Sequence, residues 1–178
     1  EPERWWTQAS AAFRIMAIQS GEHGPIAQLL AGLDCALWDM RARREGRSLA
    51  SLIGEAGPRP VPAYASGINP SGAPDTVERA RGAGFRAFKL KTGFEGDMER
   101  IERVRAGMRE GERLMIDYNQ ALDLEAARSV LSELAAFDLT WIEEPIAADH
   151  APADFAALAG CAPAPLAAGE NVVGESRF

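Results

Sequence analysis

Lysine is nearly missing from this chain. Of 19 basic residues, 17 are arginine, and the only lysines are Lys89 and Lys91. Positive charge as a whole is in deficit, since 19 basic against 26 acidic residues give 19 − 26 = −7. Such a balance argues against nucleic-acid binding, which requires clustered positive charge. Cysteine is also scarce. Cys35 and Cys161 stand 126 positions apart with no CxxC and no histidine cluster beside them. This excludes a disulfide framework and predicts two small buried hydrophobes in a reducing, cytoplasmic compartment. The two histidines, His23 and His150, each stand alone in loop-like stretches and read as solvated or capping groups. No run approaches the ~18 consecutive apolar residues of a membrane span. The first residues, Glu1 to Trp6, lack a basic segment followed by an apolar one, so no secretion signal is read there. They also lack an initiator Met, which raises the expectation of a processed chain or a piece of a longer one.

What is present is an ordinary globular composition, 47% hydrophobic and 25% charged over 178 residues. Ile26, Leu29, Leu30, Leu33, Leu37 and Met40 fall on one helical stripe, which predicts a helix over 26–53 broken at Gly46. Gly54 to Pro62 holds two glycines and three prolines and marks a connector, which sets domains at 1–60 and 61–178. Beyond it, β-prone runs at Val61–Ser66, Phe85–Lys91, Leu114–Tyr118, Leu139–Ile142 and Pro165–Glu170 alternate with helical ones. Those helices are expected near Asp75–Arg81, Asp97–Arg109, Leu124–Ala136 and Pro152–Leu158, the third capped by Asp123. Strict alternation with short loops predicts right-handed βαβ units and a parallel sheet, an α/β fold. Two motif matches fail on context. Gly82 to Ala87 fits G-x-G-x-x-A but lies before a strand rather than after one, and Gly169 to Ser176 fits a P-loop except that Glu175 replaces its lysine.

The strand ends carry the chemistry. Lys91, Asp117, Glu143 and Glu170 follow one another at spacings of 26, 26 and 27 residues. A βαβ step takes ~30 residues, so one ionisable group recurs at the same height on successive parallel strands. Asp117, Glu143 and Glu170 would then meet at the C-terminal rim, where α/β barrels place their active sites. Three carboxylates cannot stay ionised side by side without a cation. A hard, oxygen-liganded ion resolves the conflict, and Mg²⁺ suits it because its octahedral shell leaves positions for water or substrate. Taken singly, each acid also reads as a surface charge or the N-cap of the following helix.

Lys89 and Lys91 lie two apart on one strand and so share a face. Two ammonium groups in a confined site lower each other's pKa, and a lysine tuned toward neutrality can be a general base, a role closed to arginine. Of the four basic pairs spaced two apart, only 89/91 is lysine; 41/43, 79/81 and 103/105 are arginine. Glu144 and Tyr118 fall on the other strand face by the same alternation. Glu144 there reads as half of a structural ion pair, and Tyr118 as packed outward. Asn119 shares the site face with Asp117. Trp5, Trp6 and Trp38 read as core or interface rather than a ligand cage.

Together, Phe88-Lys89-Leu90-Lys91, Asp117-Tyr118-Asn119-Gln120, Trp141-Ile142-Glu143-Glu144-Pro145 and Gly169-Glu170-Asn171 resemble the enolase superfamily, in its mandelate racemase/muconate lactonizing branch. Gly32 to Asp39 looks like the helix that runs from the capping domain into the barrel in that branch. Glu170 as third ligand and Asn119 after the first favour a mandelate racemase-like subgroup. The resemblance implies a TIM-type (β/α)₈ barrel, here its first five strands, preceded by capping-domain helices. It implies Mg²⁺ held by Asp117, Glu143 and Glu170 and chelating a substrate carboxylate. Lys91 would abstract the α-proton, Lys89 would help hold the carboxylate and the enediolate charge, and Asn119 would hydrogen-bond near the carboxylate. The implied reaction is racemisation, epimerisation or dehydration of a hydroxy or sugar acid, with a small-molecule carboxylate as partner.

A whole barrel takes about 250 residues. The later strands that would carry an opposite-face base do not fit in 178. Five strands alone leave two open edges, which predicts a homo-oligomer or a longer chain. The alternative is a non-catalytic truncated fragment that serves only in binding or assembly. A Schiff-base aldolase would leave the three acids unexplained.

Overall fold

Residues 1–21, 23–54, 57 and 59–172 are described by a computed structural model, in which the chain divides into two units, Glu1–Val61 and Pro62–Phe178. The side chain of His23 lies outside the described set, as do Glu175 and Ser176 of the rejected P-loop match.

The first unit is helical. Helix α1 (Pro2–Ser20) lies ahead of the stripe read over 26–53; Trp5, Ala9, Phe13 and Ala17, spaced four apart, are its half-buried apolar residues, whereas Ile15, Met16 and Ile18 are exposed. Its start does carry a signal: Pro2 fits the first helical turn, where its missing N–H costs nothing. Gly21, at φ 70, ends it. Helix α2 (His23–Glu45) begins earlier than its apolar stripe suggests and stops at Gly46, φ 61. Arg41 joins the two helices, its Nη1 3.0 Å from Glu3 Oε1 and 3.1 Å from Glu1 Oε2. The guanidinium also covers the Trp38 ring at 5.4 Å. Helix α3 (Leu49–Ile53) is capped by Ser48, whose Oγ accepts from Ser51 N at 3.2 Å. Trp6 is exposed rather than core. Cys35 is exposed too, because it lies on a helix that buries little of its surface, and so is Cys161, in the turn after α7; neither is the buried hydrophobe expected.

The second unit is a parallel sheet in the order β1-β2-β3-β4-β5 with a helix after each of the first four strands. The strands are β1 (Ala65–Ile68), β2 (Ala87–Lys91), β3 (Arg113–Asp117), β4 (Ile142–Glu143) and β5 (Leu166–Ala167). The helices are α4 (Ala73–Gly82), α5 (Asp97–Ala106), α6 (Leu124–Leu134) and α7 (Pro152–Ala159). β1 starts four residues later than expected, since the prolines at 60 and 62 cannot donate to a ladder.

One sheet face carries Phe88, Leu90, Leu114, Ile116, Tyr118 and Ile142 into a core shared with Val77, Ile101, Val104, Leu131 and Leu134 of the helices. Alternation then leaves the opposite face to the residues between them. Asp123 Oδ1 caps α6 by accepting from Ala126 N at 2.8 Å, as expected. Among the described residues, no helix is long and apolar enough to cross a membrane.

Candidate metal centre

Parallel pairing sets Lys91 beside Asp117 and Asp117 beside Glu143 at the C-terminal ends of β2, β3 and β4. Lys89 and Lys91 reach across this face. Lys91 Nζ donates to Asp117 Oδ2 at 2.7 Å and to Asn119 Oδ1 at 2.6 Å. Lys89 Nζ donates to Glu143 Oε1 at 2.5 Å and lies 3.2 Å from Asp117 Oδ2. Asp117, fully buried, also accepts from the backbone N–H of Asn119 at 2.9 Å.

The fourth residue of the series arrives differently. Glu143 pairs with Ala167, and β5 ends there rather than running to Glu170. Gly169, at φ 148, redirects the chain so that Glu170, in a turn, returns to the same rim. Carboxylate oxygens of Asp117, Glu143 and Glu170 lie within 4.8 Å of one another. The structure thus brings together all six residues singled out above: Lys89, Lys91, Asp117, Asn119, Glu143 and Glu170. Three hard oxygen donors converging on one point suit Mg²⁺.

The electrostatics of Lys89 run against the expected lowering of its pKa by a lysine neighbour. Burial favours the neutral form of Lys89, but its hydrogen bonds to Glu143 and Asp117 outweigh it and hold the ammonium above the usual lysine value. Burial likewise opposes ionisation of Asp117, and the Lys91 ammonium, the Asn119 N–H and Lys89 overcome it, so its carboxyl sits below the usual range. The carboxylates of Glu143 and Asp117 lie close enough to Lys89 to outweigh a second ammonium.

The loops that follow the strands are held by contacts the sequence did not disclose. Asn119 (φ 43), Gln120 (φ 67) and Glu144 (φ 41) all take left-handed backbone conformations just beyond the ligands. Gln120 N donates to Glu144 O at 2.8 Å, and its side-chain oxygen accepts from Ala148 N at 2.7 Å. Glu144 is buried, but among the described residues it does not form the expected ion pair. Its Oε1 accepts from Asn171 N at 3.2 Å and its Oε2 from Asn171 Nδ2 at 2.8 Å. Amide donors satisfy it because the nearest chain is the loop carrying Glu170. Tyr118 packs into the helix-side core as its alternation predicts. Trp141, two residues before Glu143 and so on the same strand face, donates from Nε1 to Glu143 Oε2 at 3.0 Å. The same alternation would have found it.

Comparison with known proteins adds to this geometry. Residues 73–178 match the family model "Enolase C-terminal domain-like", and residues 9–54 match "Mandelate racemase / muconate lactonizing enzyme, N-terminal domain". A D-galactarolactone cycloisomerase of Agrobacterium fabrum is 32% identical over 96% of this chain and 46% of its own length. The crystal structure of a mandelate racemase/muconate lactonizing enzyme from Bordetella bronchiseptica RB50 superposes with a TM-score of 0.91 at 44% identity, over 99% of this chain and 49% of that one. An enolase from Bradyrhizobium, crystallised with magnesium and mandelic acid, superposes at 0.84 with 32% identity, over 100% of this chain and 49% of that one. The chain therefore spans about half the length of the relatives it matches.

Proposed function

Because this chain belongs to the enolase superfamily, in its mandelate racemase/muconate lactonizing enzyme branch, we propose that it forms the Mg²⁺-binding, proton-abstracting part of an enzyme acting on a small carboxylate. The observation that carries this reading is the convergence of Asp117, Glu143 and Glu170 within 4.8 Å, with the chain's two lysines on the same sheet face. Magnesium in the Bradyrhizobium relative supports the choice of ion. These three carboxylates would hold the ion. When bound, it supplies Lewis-acid polarisation of a substrate carboxylate, which makes an α-proton acidic enough to remove.

The lysines divide the remaining work. The Lys89 side chain is 7% exposed and tied to two carboxylates, whereas that of Lys91 is 26% exposed. Lys89, held charged, fits the stabilisation of negative charge developing on the substrate. Lys91, the more accessible amine, fits the base: its neutral Nζ takes the α-proton, which arginine could not do. Asn119, which accepts a hydrogen bond from Lys91, would fix that amine and hydrogen-bond near a substrate carboxylate. The favoured outcome is racemisation or epimerisation, or dehydration, of a hydroxy or sugar acid. The cycloisomerase among the relatives adds ring rearrangement of a sugar-acid lactone as a third outcome.

Exchange of substrate α-protons in D₂O across a panel of hydroxy and sugar acids tests this reading, with and without Mg²⁺. Metal-dependent exchange is expected. Metal binding without exchange on any acid would reduce the chain to a binding module, and absence of metal binding would remove the reading altogether.

A further inference from the structure

A carboxylate ligand is only as well placed as the groups that fix its second oxygen. Glu143 has both oxygens engaged from opposite partners: Lys89 Nζ on Oε1 at 2.5 Å and the Trp141 indole N–H on Oε2 at 3.0 Å. The indole is itself braced. Tyr64 meets it edge-on, ring centroids 5.3 Å apart at 81°. The same Tyr64 ring lies under the Lys89 ammonium at 5.6 Å. Four side chains from three strands or their flanks thus close a ring: Tyr64, Trp141, Glu143 and Lys89. Among the described residues, the indole is the only neutral donor on that carboxylate.

We propose that Trp141 is a positioning residue for the metal centre, its indole N–H setting the orientation of the Glu143 carboxylate and Tyr64 keeping the indole in place. This rests on the metal-site reading above. Lys89 cannot perform the task alone. Its ammonium is shared between Glu143 and Asp117 and carries three rotatable donors on a flexible stem, whereas an indole N–H points in one direction from a rigid ring. A neutral donor also orients the carboxylate without adding a positive charge that would compete with the cation. Donors of this kind, bonded to ligands rather than to the metal, typically govern affinity by 10–100-fold.

The experiment compares Mn²⁺ binding, read from the free-ion EPR signal, for the unsubstituted chain and two variants. Trp141→Phe removes the N–H and part of the ring. Replacing Trp141 with benzothienylalanine keeps the bicyclic shape and removes only the N–H. Both are expected to bind Mn²⁺ about tenfold more weakly, with the metal-free unfolding midpoint of the benzothienylalanine protein unchanged. Unaltered binding by that protein overturns the proposal even if Trp141→Phe binds poorly or fails to fold, because ring packing would then be the whole effect. An unsubstituted chain that binds no Mn²⁺ overturns the metal-site reading and this proposal with it, whereas normal binding by both variants overturns this proposal alone.

Discussion

Lys91 and Asp117 stand side by side at the matched ends of β2 and β3, Nζ to Oδ2 2.7 Å. Asp117 is fully buried and shares that oxygen with Lys89 at 3.2 Å. Converting it to Asn would leave two ammonium groups facing each other across a lost counter-charge. Removing one partner of a buried charged cluster typically costs ~3–5 kcal/mol. Asp117→Asn is therefore expected to lower urea-unfolding stability by about 3 kcal/mol and to abolish Mg²⁺ binding by calorimetry. Full Mg²⁺ affinity in the variant would remove Asp117 from the ligand set.

Lys91→Arg separates charge from basicity. The guanidinium still pairs with Asp117 but cannot give up its proton at working pH. A positioned general base contributes roughly 10²–10⁴-fold to rate, so α-proton exchange in D₂O is expected to fall by at least 10²-fold while Mn²⁺ binding changes little. Exchange that survives the substitution would move the base elsewhere.

The order of helices and strands from residue 65 on was legible because alternation and helical spacing are strong there: Phe88, Leu90, Leu114 and Ile116 all face the helices. The rim acids were legible because a repeat of 26 or 27 residues is hard to mistake. Other features stayed hidden for physical reasons. Helix α1 has a stripe at Trp5, Ala9, Phe13 and Ala17, but the exposed Ile15, Met16 and Ile18 spread apolar residues around the helix and blur it. Glu170 reaches the site through a turn at Gly169 rather than by strand register. The Lys89 ammonium is favoured, against burial, by hydrogen bonds to Glu143, 54 residues away, and to Asp117, and no local pattern carries that.

A second buried ion pair gives a pH prediction that leaves the metal centre untouched. Arg81 clasps Glu112 with Nε at 2.6 Å and Nη2 at 2.8 Å, and Nη2 also reaches Gly107 O at 3.1 Å. The Arg81 guanidinium, against some cost of burial, lowers the Glu112 carboxyl from 4.5 to about 2. A carboxyl depressed in the folded state stabilises it above the unfolded value and loses that contribution as pH falls. Stability should therefore decline from about pH 4.5 toward pH 2 through this pair. Glu112→Gln should flatten that limb and cost about 3 kcal/mol at pH 7, both measured by urea unfolding. An unchanged acid limb would exclude the pair as its source.

Gly93 lies in the loop after β2 at φ 99, where a Cβ would come 2.6 Å from the Ala121 Cβ and 3.5 Å from Tyr118 O. Both the conformation and the space exclude a side chain. Gly93→Ala should destabilise by about 3 kcal/mol and, since Ala121 follows the Asn119–Gln120 turn, should also weaken Mg²⁺ binding. Loss of stability with normal metal affinity would mean that the loop yields without disturbing the ligands.

Glu144 links the loop after β4 to the loop that carries Glu170, and both of its oxygens are spent on Asn171. Glu144→Gln keeps the shape and turns one acceptor into a donor that faces another donor. Leaving a buried polar group unpaired costs ~1–3 kcal/mol, which in a chain of this length lowers the melting temperature by roughly 2–12 °C. Because Asn171 directly follows Glu170, the displaced loop should also carry that ligand out of place and weaken Mg²⁺ binding. Asn171→Ala removes the same contact from the other side. If the two residues act through each other, the double variant should bind Mg²⁺ no more weakly than the worse single one, giving a coupling energy of about 1 kcal/mol or more. Strictly additive losses in binding would show that Glu144 and Asn171 support the site by separate routes.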